Sequence, residues 1–154
     1  HRTQLLLTAQ TGVIPEIRVF SADLHRETAI AAAAEDVADY RPTVLVVQMG
    51  DNAPIGTTYD QYRDAYRRLR DAAPGGTLVY VGIWRELERG DDYIRQLARE
   101  DKAAYVEIHD LFLDAVNQAQ GCTDTNGVCW HPSDAGMAAI ASRIIAAIGG
   151  VRGW

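Results

Sequence analysis

The chain predicts an α/β fold with a parallel sheet, and three observations carry that expectation. Short apolar runs alternate with amphipathic stretches of helical period along most of the chain. Short polar, glycine- and proline-bearing loops join them. The run Val44-Leu45-Val46-Val47 is apolar at every position, as a strand covered on both faces requires.

Each element follows from local signals. Arg2 to Gln10 predicts a short helix closed by Gly12. Glu16 to Ser21, with Ile17, Val19 and Phe20, predicts a strand. Thr28 to Tyr40 is alanine-rich and stops before Pro42, which forbids helix in the residue preceding it. Thr43 to Met49 predicts the central strand. Tyr59, Tyr62, Tyr66 and Leu69 share one helical face, so 59–73 is a helix ended by Pro74-Gly75-Gly76. Thr77 to Ile83 predicts another strand, and Asp91 to Asp101 a helix with Ile94 and Leu97 inward. Ala104 to Ile108 predicts a short strand, followed by a short helix near 110–118 and a polar loop over 119–133. Met137, Ile140, Ala141, Ile144, Ile145 and Ile148 form the stripe of a last helix, which Ser133 or Asp134 can cap. Right-handed crossovers between successive parallel strands then give a three-layer α/β/α sandwich. With 154 residues and no repeat or linker, one domain over 1–154 is expected.

Composition narrows the partners. Fifteen basic against twenty-one acidic residues give a net charge of −6 and a pI near 5.1. That argues against a nucleic-acid face and against an anionic membrane surface. No apolar run in the sequence approaches the ~20 residues of a membrane span. A chain opening His1-Arg2 reads as processed or truncated, so the lack of a leader says little about compartment. Cys122 and Cys129 lie in the polar loop. A local disulfide, and with it an exported protein, is the expectation; two free thiols in a cytosolic protein is the alternative. Neither a metal nor an organic cofactor is expected, because no CxxC pair exists and His131 alone cannot complete a zinc shell.

In open α/β sheets, chemistry gathers beyond the carboxyl ends of the strands. Ser21-Ala22-Asp23, Gly50-Asp51-Asn52 and Gly82-Ile83-Trp84-Arg85 would all reach that rim. An amide at the end of a rigid strand can donate to an oxyanion, with glycine beside it admitting substrate to the backbone. His131, in Trp130-His131-Pro132-Ser133-Asp134-Ala135-Gly136-Met137, precedes the last helix and can serve as general base and acid. The bland alternatives are a turn role for Asn52 and a backbone-bonded loop imidazole for His131. Trp84 and Trp130 can line a sugar or acyl pocket or pack in the core. His25 and His109 read as structural. The Arg67-Arg68-Arg70 cluster reads as a solvated face, and the carboxylate pairs elsewhere lack a glycosidase partner.

These residues resemble the SGNH (GDSL-like) hydrolases, a family of esterases and lipases. Val44 to Asn52 is similar to its third block, a strand ending in Gly-x-Asn-Asp, with Gly50 and Asn52 matching and Ala53 replacing the final Asp. Trp130 to Met137 is similar to the fifth block, where the catalytic His precedes Pro and, later, Gly. Phe20 to Thr28 roughly resembles the second block without its glycine. The resemblance spans about residues 2 to 148. It implies a flavodoxin-like sandwich and a serine esterase acting on short-chain or acetyl esters of carbohydrate. In that reading His131 is the base, Asn52 an oxyanion donor, and Gly50 shapes the approach. The first block, Gly-Asp-Ser, is missing. Val19 to Leu24 has its outline but not its serine, and lies too close to Gly50. The resemblance therefore places the first strand and its nucleophile upstream of His1, with Ser21 a weak substitute. The family's Asp three positions before the His is Val128 here; Asp124 or a backbone carbonyl would orient the ring instead. A non-catalytic carbohydrate-binding relative, and a flavodoxin-like binding or signalling domain, are the other readings.

Overall fold

The computed structural model describes residues 8–9, 12, 14–85, 89–119 and 130–152. Among the described residues the sheet has three strands in the order β1-β2-β3, all parallel: β1 Val44–Gln48, β2 Thr77–Val81 and β3 Ala104–Val106. Helix α1 (Glu27–Tyr40) precedes β1, and α2 (Tyr59–Asp71) and α3 (Gly90–Asp101) run between successive strands. After β3 come the single turn α4 (His109–Phe112), a 3-10 turn at Ala115–Asn117, and α5 (Asp134–Arg152). The α/β alternation expected from sequence is therefore present.

Helices cover both faces of the sheet. On one face Leu45, Val47 and Tyr80 pack with Ile30, Val37, Tyr66, Leu69, Ile94 and Leu97. On the other, Val79, Val81 and Val106 pack with Trp84 and with Ile148 of α5. β2 is the strand buried on both sides, with Val79, Tyr80 and Val81 fully inaccessible. Below the sheet, the carboxylate of Asp101, itself almost wholly buried, accepts from Arg67, Arg70 and the Tyr80 hydroxyl at 3.3, 2.6 and 2.9 Å. Three donors satisfy a charge that burial alone would not tolerate.

Two expectations fail, and for one reason. Thr43 to Met49 was expected to form the central strand, but among the described residues β1 lies at the edge, and Val46 remains 38% exposed. Glu16 to Ser21 was expected as a strand, but forms none; Ile17 and Val19 are exposed. A groove of about 1140 Å³ separates this segment from β1, lined on one side by Pro15 to Ala22 and on the other by Thr43 to Met49. Without a neighbour to exchange backbone hydrogen bonds, an apolar extended segment does not become a strand. The segment is held instead by Tyr40, whose hydroxyl donates to the Glu16 carbonyl (2.9 Å) and whose ring meets Phe20 edge-on.

The helix limits agree with the sequence. Thr58 and Gln61 form a capping box at the start of α2. Arg41 and Lys102 close α1 and α3 in the left-handed conformation. Gly12 (φ +70°) donates its N–H to the Thr8 carbonyl, the expected helix stop; the rest of the expected helix at 2–10, apart from Thr8 and Ala9, lies outside the described residues. The expected helix at 110–118 is two short turns. α5 is more apolar than its stripe implied: the 18 residues Asp134–Val151 have a mean hydropathy of 1.4, long and apolar enough by composition to cross a membrane. In this fold Ala141, Ile145 and Ile148 of that helix are buried, while Met137 is half exposed.

Candidate functional site

The carboxyl ends of β1 and β2 and the approach to α5 enclose a cavity of about 500 Å³, within the size range of small-ligand sites. Asn52, Trp84, Trp130 and His131 all line it, so four of the residues singled out in the sequence come together.

The backbone around His131 is tethered on every side. The His131 carbonyl accepts from Ala119 (2.9 Å), and Ser133 N–H donates to the Asn117 carbonyl (2.7 Å). The Ser133 hydroxyl donates to Val116 O (2.9 Å) and accepts from Gly136 N–H (3.1 Å), which makes Ser133 the cap of α5. Gly136 sits against the Asn117 carbonyl with no room for a Cβ, so the glycine after the His-Pro pair has a packing cause. The indole N–H of Trp84 donates to the Trp130 carbonyl at 2.8 Å. The His131 side chain is exposed within this frame.

Trp84 itself is only 5% exposed, with its ring edge-on to Phe112. Its N–H is already engaged, so it braces the His131 loop while forming part of the cavity wall. Trp130 is 49% exposed, with the Arg85 guanidinium carbon 4.1 Å from the centroid of its ring.

Asn52 occupies the turn after β1, where the Ala53 N–H donates to the Gly50 carbonyl (2.9 Å). Among the described residues its side-chain amide makes no hydrogen bond, which leaves its donors available and disfavours a purely local turn role. Gly50 departs from expectation. It does not line the cavity but is buried, with φ +122°, and a Cβ there would lie 2.8 Å from the Tyr62 hydroxyl and 3.2 Å from Ile83 Cδ1. Glycine at 50 lets the chain turn against Tyr62; it does not open a path to substrate.

Asp51, between them, entered the sequence reading only as a member of the rim segment Gly50-Asp51-Asn52, with no role assigned. Its carboxylate accepts the Trp84 backbone N–H (2.7 Å) and the Gln48 side-chain amide, tying the end of β1 to the end of β2. Burial pushes the Asp51 carboxyl above its ordinary value of 3.8, partly offset by those donors and by Arg85. A carboxyl raised on folding contributes most to stability below pH 3.8, and that contribution is lost as pH rises through its folded value. Asp51→Asn should therefore gain stability relative to the parent as pH rises from about 4 to about 7, in urea melts taken across that window. A parallel pH dependence of the two proteins would contradict this.

Ser21 lines the groove beside β1, not the cavity of His131. Ser142 donates to Ala138 O within α5 (2.9 Å), and Ser133 is the helix cap. These are the chain's three serines, so none of them faces His131 across the cavity. Asp124, Cys122 and Cys129 lie outside the described residues. Compared with known proteins, the chain matches no family model, no curated protein and no solved structure.

Proposed function

We propose that this chain forms the greater part of an SGNH-type serine ester hydrolase acting on acyl esters, with short-chain or acetyl esters of carbohydrate as the substrate class. The observation that carries this reading is the convergence of Asn52 and His131 on one cavity at the carboxyl rim of a parallel sheet. Asn52 would donate to the oxyanion of the tetrahedral intermediate. His131 would take the proton of the attacking hydroxyl and return it to the leaving alkoxide. The mechanism needs neither a metal nor an organic cofactor. The nucleophilic serine would sit on a polypeptide strand outside these 154 residues, completing a three-layer SGNH sandwich. The open edge of β1 and the groove beside it support that placement, since an added parallel strand there would satisfy the exposed backbone groups of β1.

The test is labelling of the full natural chain with a fluorophosphonate, followed by mass spectrometry. One serine outside residues 1–154 should be phosphonylated, and more slowly in His131→Ala. Failure to label any serine, or labelling of Ser21 instead, would overturn the assignment. A second reading draws on one observation, the lack of any serine of the chain at the cavity: a non-catalytic carbohydrate-binding relative. Sugar binding without labelling would favour it.

A further inference from the structure

The cavity has one wall that ester hydrolysis does not use. Arg85 forms part of it, with its guanidinium carbon 4.1 Å from the centroid of the Trp130 ring. Many of the other arginines hold carboxylates: Arg63 reaches Asp60 at 2.6 Å, Arg67 reaches Glu100 at 2.8 Å, Arg70 reaches Asp101 at 2.6 Å, and Arg95 reaches Glu107 at 2.6 Å. Among the described residues, no carboxylate pairs with Arg85 in this way. In a chain of net charge −6, this guanidinium meets an aromatic face inside a cavity, with the field of Asp51 near it but no carboxylate in ion-pair contact among the described residues.

The geometry points to Arg85 as an anion-recognising residue, so that the ligand of this cavity carries a carboxylate. A guanidinium stacked on an indole spends its face on the ring and keeps its in-plane N–H groups for a bidentate partner. The stack is also held in place beforehand. Trp130 is pinned through its carbonyl by the Trp84 indole, and the Trp84 backbone N–H is pinned by Asp51. Asp51 is the acidic residue of this wall, and its two oxygens already face the Trp84 N–H and the Gln48 amide. An ordered cation loses little side-chain freedom when the anion arrives.

That the ligand is an ester rests on the hydrolase reading above; the preference for an anion does not. The test is tryptophan fluorescence of the full natural chain titrated with D-glucuronate and with D-glucose at low salt, Trp84 and Trp130 being the reporters. Glucuronate should bind about tenfold more tightly, a margin that one charge-assisted bidentate contact supplies. Arg85→Gln should remove the difference, and Arg85→Lys should keep part of it, with thermal melts confirming that both variants fold. A parallel arm compares kcat/KM for 4-nitrophenyl acetate, 4-nitrophenyl hemisuccinate and 4-acetoxybenzoate. The last two place the carboxylate on the acyl side or the leaving-group side, and one of them should exceed the neutral ester by about tenfold. Equal affinity for the two sugars, or a preference that survives Arg85→Gln, would overturn the assignment. Carboxylate selectivity without turnover of any ester would leave it standing and remove the hydrolase reading instead.

Discussion

Replacement of His131 by Ala in the full natural chain should lower kcat/KM for 4-nitrophenyl acetate by about three powers of ten, with no loss of fold. The first half follows from role: a positioned imidazole is worth roughly 10²–10⁴ as general base and acid. The second follows from structure. The side chain is exposed, and the loop is held by backbone bonds from Ala119 and to Asn117 that the substitution leaves alone. The cap at Ser133 and the tether from Trp84 are likewise untouched. Asn52→Ala should act differently. Loss of one oxyanion donor costs about 10²–10³ in kcat while leaving KM nearly unchanged, because the bond forms only as charge develops on oxygen. Steady-state kinetics separate the two signatures. Wild-type rates in both variants would take the pair out of the mechanism.

Gly50→Ala should be a damaging single-methyl addition at the rim, costing about 3 kcal/mol of stability. Two penalties add. An L-residue is strained at φ +122°, and the new Cβ would lie 2.8 Å from the hydroxyl of Tyr62. Tyr62 is only 2% exposed and Ile83 not at all, so neither can swing aside. Gly56→Ala is the control: its φ is +85° but nothing lies within 4 Å of the added methyl. That variant should suffer the backbone strain alone, about 1–2 kcal/mol. Combining Gly50→Ala with Tyr62→Phe should recover only the part due to the hydroxyl. Urea denaturation of the four proteins checks this, and equal losses at 50 and 56 would refute the packing argument. Because Asn52 lies two residues beyond Gly50, the same variant should also lower turnover in whatever fraction remains folded.

Much of the architecture was legible because its causes are local. The tyrosine face of α2, its break at Pro74-Gly75-Gly76 and the stop of α1 before Pro42 are decided within a few residues of chain. The stripe on α5 and its cap at Ser133 belong to the same class. Two features of the candidate site were also local. A glycine-bearing turn had to follow Met49, and an imidazole had to precede the last helix. What misled was burial. Val44 to Val47 and Leu78 to Val81 are equally apolar, yet only the second lies between two neighbours. Strand rank in a sheet is set by partners distant in sequence, and apolar character does not reveal it.

From the sequence by itself come the α/β alternation, the helix stops, and the candidates Asn52 and His131, since each follows from short-range sterics and periodicity. Tertiary structure alone decided that β1 is an edge, that residues 16–21 form no strand, and that Gly50 turns toward Tyr62. It alone brought Arg85 onto the ring of Trp130 and into the cavity of His131. These are contacts across 12 to 46 residues of chain, and the folded packing, not local preference, determines which of them form.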